Sequence, residues 1–298
     1  FSSKTVSQNE AIVIATGAPI PDGANAVLMK EYTTTDGDDL TIYSQVTPGE
    51  NVSPKSEDIE KGQKILDKNT FIRYQELGLV ASAGYDTVKV FKKPRVKIII
   101  TGNELVEPTK EEIDKAKIIN SNQFTIKAMV EDSGAICDIG RAGDTFEEVR
   151  EAILEASNDY DVIMTTGGTA ISKGDVVLDV VDDIGEILFH GVAIRPGKPA
   201  GAGIVNDKIV FTFSGQPVAA MSQFDMFARK YLFEMQGRAF DFNIVKRTSQ
   251  LKIPSQLGRT DFIRAVSDEE HAKHVLNRGS GIIRSMVEAN SYIIIDEN

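Results

Sequence analysis

The spacing of apolar residues divides the chain into stretches of different period. Up to about residue 57 the period is two, as in half-buried strands. Glu10–Ala15 predicts one strand and Ala26–Glu31 a second, separated by the turn-rich Thr16-Gly-Ala-Pro-Ile-Pro-Asp-Gly23. Asp36–Asp39 is a turn, after which Leu40, Ile42, Ser44 and Val46 resume the alternation until Pro48-Gly49 breaks the chain. From about 58 to 92 the spacing becomes helical. Tyr74, Leu77, Gly78 and Ala81 share a face, Gly84 supplies a stop, and Thr87–Val90 reads as a short strand. Lys92-Lys93-Pro94 reads as a linker.

Beyond it, Val96–Ile100 is almost continuously apolar, the pattern of a strand covered on both faces. A helix carrying Ile126, Met129 and Val130 follows, then a strand at Ala135–Ile139. Thr145-Phe-Glu-Glu148 is a capping box that opens a helix with Val149, Ile153 and Leu154 inside. Asp161–Met164 is another strand, and Val177, Val180, Val181 and Ile184 form a helical stripe. Ile187–His190 and Ile209–Phe213 add strands. Pro217 opens a helix that carries Met221, Phe224, Ala228, Tyr231 and Leu232 to Gly237. Alternating strands and helices predict a parallel sheet with helices on both faces. After Gly237 the pattern returns to β, with turns at Gly258 and Gly279-Ser-Gly281, as in a small barrel or sandwich.

Composition narrows the function classes. At 298 residues the chain is long enough for two or more domains, and 41% hydrophobic residues are enough for real cores. A formal charge of −11 disfavours nucleic acid and anionic membrane as partners. It leaves room for an anionic ligand held by a local cluster of N–H groups and cations. No apolar run is long enough to cross a membrane, and no signal peptide is evident. Cys137 is the only cysteine, so a cytoplasmic setting and a packing role in a strand are expected. His271 and His274 lie in an acidic-polar stretch and read as exposed, too scattered with His190 for a zinc site. Phe1 is not an initiator Met, so an N-terminal segment is expected to precede it.

Ligands of open parallel sheets collect beyond the carboxyl ends of the strands. Polar loops converge there: Thr101-Gly-Asn-Glu104, the loop of Asp144, Thr165-Thr-Gly-Gly-Thr169 and Ser214-Gly-Gln-Pro217. Gly167 and Gly168, flanked by Thr166 and Thr169, would let backbone N–H groups approach an anion, or would make a plain tight turn. Ser214, Gly215, Gln216 and Pro217 form either a phosphate cradle at a helix N-terminus or an ordinary cap. Glu104, Asp144 and Asp175 together could hold a hard divalent cation. Taken singly, they read as a surface charge, a solvated loop charge and a helix cap. Arg195-Pro-Gly-Lys198 would present cations to an oxyanion, or is a surface loop.

Several segments, in order, resemble one family. They are Thr16–Val27 (TGAxxPxGADAV in the family), Gly49–Ile59 (GENVRxxGEDI), Glu76–Gly84 (ELGLLASAG) and Lys93–Val96 with Thr101–Leu105 (KPRVxxxxTGDEL). Phe189–Pro199 (FHGVAMKPGKP), Gly258–Phe262 and Gly279–Gly281 continue the series. The match spans nearly the whole chain and resembles the molybdopterin molybdenumtransferase family, of the MoeA and gephyrin E-domain type. The resemblance implies a multidomain α/β protein. It has an extended β lobe at 1–57, a helical linking domain at 58–92, a three-layer α/β/α MogA-like domain at 93–238 and a β-barrel-like domain at 239–298. It implies a homodimer whose site is shared between subunits, with Asp58 reaching in from the partner. It implies that adenylylated molybdopterin and molybdate (or tungstate) react with Mg2+ as the divalent cation, releasing AMP. Glu104, Asp144 and Asp175 would be the acids and metal ligands. Thr166, Gly167, Gly168, Thr169 and Ser214–Pro217 would cradle phosphate, and Arg195 and Lys198 would face the oxyanion.

The chain also departs from the pattern. Thr165–Thr169 is closer to the adenylyltransferase relatives, and Ser214-Gly-Gln-Pro217 replaces Pro-Gly-Asn-Pro. The family's D-N-S-A-M-D-G motif, which normally supplies another acid, has no counterpart in these residues, and the last strand of the barrel is expected to be absent from them. These departures leave open adenylyl transfer to molybdopterin, or a non-catalytic cofactor-binding or scaffold role.

Overall fold

The computed structural model describes residues 5–109, 111, 114, 116–167, 175–255, 257–276 and 279–297. The chain forms two compact units, Phe1–Val88 and Lys89–Asn298. In the first unit the only ladder among the described residues is a hairpin. Its strands β1 (Thr33–Asp36) and β2 (Asp39–Ile42) flank the expected turn at Gly37. The expected strands at Glu10–Ala15 and Ala26–Glu31 are irregular, and Ser44 and Val46 lie beyond β2. Their alternation is real, with Ile12 and Ile14 half-buried and Val13 96% exposed, but among the described residues no neighbouring strand supplies a ladder. Isolated bonds hold the loops instead, such as Val27 N–H to the Glu50 carbonyl at 3.0 Å. Helix α1 (Tyr74–Ser82) ends at Gly84 with φ +85°, as the spacing predicts. Thr87–Val90 is irregular, not a strand.

The second unit is built on strand β3 (Arg95–Thr101). Ile98 and Ile100 pack into one core and Ile99 into the other, so the apolar run is buried on both faces. The chain then passes through β4 (Leu105–Val106), β5 (Ile118–Ile119), α2 (Asn122–Asp132), β6 (Ile136–Ala142) and α3 (Phe146–Asp159). It continues through β7 (Val162–Thr166), α4 (Val176–Ile184), β8 (Glu186–His190), β9 (Ile194–Arg195), β10 (Gly201–Val205), β11 (Lys208–Phe213) and α5 (Pro217–Gln223). A π-helical turn at Phe224–Ala228 joins α5 to α6 (Arg229–Met235). Helices α3 and α4 cover one face of the sheet, and α2, α5 and α6 the other, a three-layer α/β/α arrangement.

The six-stranded sheet has the order β6-β3-β7-β11-β10-β8 and is mixed, not all parallel. Strand β10, absent from the expected elements, runs antiparallel between β11 and β8. It joins β11 through Asn206-Asp207, both at positive φ, a type I′ hairpin turn. Its Gly-Ala-Gly sequence lacks strand character for a packing reason. A Cβ on Gly203 would come within 2.4 Å of Val181 on α4, and one on Gly201 within 3.2 Å of Leu178. The helix lies too close for larger residues.

The remainder contains β12 (Thr248–Ser249), β13 (Thr260–Ser267), β14 (His271–His274), α7 (Arg284–Glu288) and β15 (Ser291–Ile295). Its sheet has the order β12-β14-β13-β15, and β9 from the preceding layer pairs in parallel with β13. His274, expected to be exposed, is buried, because β14 turns it inward beside Ala272.

The capping box is present: the Thr145 hydroxyl accepts from Glu148 N–H at 3.3 Å, and the Glu148 carboxylate accepts from Thr145 N–H at 3.3 Å. Thr145→Ala is expected to lower unfolding free energy by about 1 kcal/mol. Urea titration followed at α3 would show a lower midpoint with unchanged slope. Cys137 is buried in the core, and desolvation pushes its thiol up to about 11. Its thiolate therefore appears only at strongly alkaline pH, and native protein at pH 8 should alkylate roughly a hundredfold slower than urea-unfolded protein. Equal rates in a timed iodoacetamide reaction would contradict this burial.

Candidate active site

A cleft of about 1380 Å³ opens between the carboxyl rim of the sheet and the β13 sheet. Its floor is where two chain segments meet without side chains. Gly167 leaves β7 at φ +99°, and a Cβ there would lie 2.3 Å from the Thr101 carbonyl oxygen. A Cβ on Gly215 would touch the Gly167 Cα at 3.5 Å. Only glycine tolerates the Gly167 conformation and approach, so backbone itself lines this end. Glu104 lines the same end, at the turn from β3 into β4.

The Ser214–Pro217 loop lies on the cleft, but its donors are partly used. Ser214 N–H donates to the Gln223 side chain at 2.7 Å, and Gln216 N–H to the Ser214 hydroxyl at 3.3 Å. Pro217 sits at N1 of α5, and Val218 N–H donates to the Ser280 carbonyl at 3.0 Å. The helix N-terminus is thus largely capped by its own surroundings. Gly215 N–H bonds to no described residue, while the Gly215 carbonyl accepts from Asn122 at 3.0 Å.

The loop Arg195–Pro199 forms a second wall. Arg195 leads into a cis bond to Pro196, and its guanidinium is bound to the fully buried carboxylate of Asp261. Asp261 also accepts from the Ser255 hydroxyl at 2.8 Å. The Arg259 guanidinium lies 3.6 Å from the same carboxylate, so Asp261 offsets part of the charge of both arginines. Lys198 is exposed and has no ion-pair partner among the described residues. Arg259 and Arg264 line the C-terminal side, Arg264 held by the Ser285 hydroxyl at 3.2 Å and the Gly279 carbonyl at 3.3 Å. Four cationic side chains (Arg195, Lys198, Arg259 and Arg264) and one carboxylate thus line a cleft in an acidic protein.

The three expected acids stand apart among the described residues. Among the described residues no three of His, Cys, Asp and Glu gather to hold an ion. Asp175 is the buried N-cap of α4, accepting from Leu178 N–H at 3.1 Å, with the His190 ring 3.8 Å away. Asp144 accepts from the backbone N–H of Asn103 at 2.9 Å, and of the three acids only Glu104 lines the cleft. Each of the other two carboxylates accepts one hydrogen bond from nearby backbone. Thr166 is buried at the end of β7, Gly168 and Thr169 lie outside the described residues, and Asp58 lies exposed in the first unit. The sequence missed Asp261, Arg259 and Arg264 as parts of the site. The surplus polar residues in Gly258-Arg-Thr-Asp261 were the available signal.

Removing the buried anion should leave Arg195 without its partner. Asp261→Ala is expected to cost about 1–3 kcal/mol, less than a fully buried pair because Arg195 can turn to water. Chemical denaturation of the whole chain would report it, and an unchanged midpoint would contradict the pairing.

Residues 97–234 match the family described as "probable molybdopterin binding domain". Residues 2–84 match the MoeA N-terminal region, domains I and II, and 246–298 the MoeA C-terminal region, domain IV. A molybdopterin biosynthesis protein of Methanocaldococcus jannaschii is 38% identical over 98% of this chain and 73% of its own length. A molybdopterin molybdenumtransferase of Staphylococcus aureus is 33% identical over 99% of this chain and 72% of its own. The crystal structure of a MoeA protein of molybdopterin biosynthesis from Pyrococcus horikoshii OT3 matches with TM-score 0.73 and 33% identity, covering 100% of this chain and 74% of that one. With matches in all three regions and a fold shared over its whole length, this chain belongs to the MoeA-type molybdopterin molybdenumtransferase family.

Proposed function

We propose that this chain is a transferase of molybdenum cofactor biosynthesis that binds an adenylylated molybdopterin in the cleft and inserts molybdenum or tungsten from its oxyanion, releasing AMP. The observation that carries this reading is the pairing of a side-chain-free floor at Gly167 and Gly215 with four cations on the facing walls. Bare backbone lets an anion approach N–H groups closely, and the positive charge that Asp261 does not offset attracts it. A phosphoanhydride-linked ligand with an oxyanion beside it is this kind of multiply charged guest.

The chain's own residues then divide the work. Lys198, with no ion-pair partner among the described residues, is the mobile point charge that meets the incoming oxyanion. Arg195, fixed by Asp261, orients rather than neutralises. The Gly215 N–H is the backbone donor available to a phosphate oxygen. Glu104, which lines the same cleft as Gly167, would take the proton from water attacking the anhydride phosphorus as the molybdopterin phosphate leaves. A homodimer in which Asp58 of a second copy completes the site, and a division at 1–57, 58–92, 93–238 and 239–298, belong to the same proposal.

The test is release of AMP from adenylylated molybdopterin by purified protein, with and without molybdate. Release that requires molybdate is expected. Consumption of ATP with molybdopterin alone would reverse the direction of the reaction, and binding without turnover would make the chain a carrier. Lys198→Met should raise KM for the adenylylated ligand roughly tenfold, the worth of one charge-assisted contact. A KM equal to wild type would remove Lys198 from the site.

A further inference from the structure

Gln223 is fully buried and stands behind the cleft, not in its lining. Its side-chain oxygen accepts from Ser214 N–H at 2.7 Å, and its side-chain nitrogen donates to the Gly197 carbonyl at 2.9 Å. One neutral amide therefore bridges the two loops that supply the cleft's backbone floor and its cation Lys198. The fit is close on the loop side as well. A Cβ on Gly197, which sits at φ +115°, would fall 2.9 Å from the Gln223 Cγ. Gln223 is the last residue of α5 before the π-helical turn, a local widening that helices often carry at working positions.

We propose that Gln223 is a positioning residue that holds the Arg195–Lys198 loop at a fixed distance from the Ser214–Pro217 loop, so that one anionic ligand meets both. This inference rests on the reading of the cleft as the ligand site. Sequence reasoning could not find it, because a Gln on the buried face of a helix reads only as an imperfect core residue. Its two partners are backbone groups, one donor and one acceptor, so a neutral amide satisfies both without a charge. Leucine of similar volume satisfies neither. A carboxylic acid satisfies both only while protonated, because it then keeps one O–H to give to Gly197 and one oxygen to accept from Ser214. Burial favours that neutral form.

Gln223→Leu and Gln223→Glu in the whole chain provide the test, read first by amide hydrogen exchange across 194–199 and 212–217. Gln223→Leu should speed exchange in both segments together, by roughly tenfold or more, while Val162–Thr166 stays protected. Gln223→Glu should match wild type at low pH and the Leu variant at high pH, after correction for intrinsic exchange. A side chain that merely filled space would give no such crossover. Unchanged exchange in either loop of Gln223→Leu, or a Glu variant that is loose at every pH, would overturn the inference.

Molybdate-dependent AMP release supplies the second reading. Both variants should lose kcat/KM mainly through KM, with Gln223→Glu recovering as pH falls. Wild-type kcat/KM in a Leu variant with loosened loops would overturn the positioning role. A wild-type chain without turnover would instead refute the functional reading, and the exchange crossover would still decide whether Gln223 ties the loops.

Discussion

Burial of β3 on both of its faces is the constraint from which the larger unit follows. Ile98 and Ile100 enter one core and Ile99 the other, and each buried side chain contributes roughly 1.5–3 kcal/mol. A strand apolar on both sides needs a layer of helices on each. The crossover connections that provide those layers return the chain to the same edge of the sheet each time. The polar loops after β3, β6, β7 and β11 therefore gather at one rim, and a cleft forms there before any chemistry is specified. The lone antiparallel strand, β10, is admitted only because its glycines let α4 settle onto it.

What makes this rim different from that of an ordinary sheet is close backbone approach. Gly167 crosses the Thr101 carbonyl at a distance that excludes any Cβ, and Gly215 lies against Gly167. Large side chains are kept from the floor, and main-chain groups form its surface. The opposing wall then carries the charge.

The Phe189–Pro199 segment serves two structures at once. Its β8 portion closes the edge of the large sheet, and its β9 portion pairs with β13 in the smaller one. Arg195 adds an ion pair to the buried Asp261, and Gln223 fixes Gly197 from the opposite side. The loop bearing Lys198 is thus tied through Ile194 and Arg195 to β13 and through Gly197 to α5.

Local information in the sequence settled the elements whose signals are local. The two-faced apolar run of β3, the capping box at Thr145, the stripe of α4 and the glycine stop after α1 all appear where their patterns lie. Rows of alternating residues at Glu10–Ala15 and Ala26–Glu31 did not become strands, because a ladder needs a partner and periodicity does not supply one. The family motifs located the rim loops for the same reason, being contiguous in the chain. How Asp144 is held, which cation stays without an ion pair and which buried amide aligns the loops depended on residues distant in sequence: Asn103 for Asp144, Asp261 for Arg195 and Gln223 for Gly197. The sequence by itself determined the layers and the rim at which the polar loops gather. Tertiary structure alone decided which polar groups are spent on the protein and which remain for a ligand, because hydrogen bonds and ion pairs are allotted only when separate segments meet.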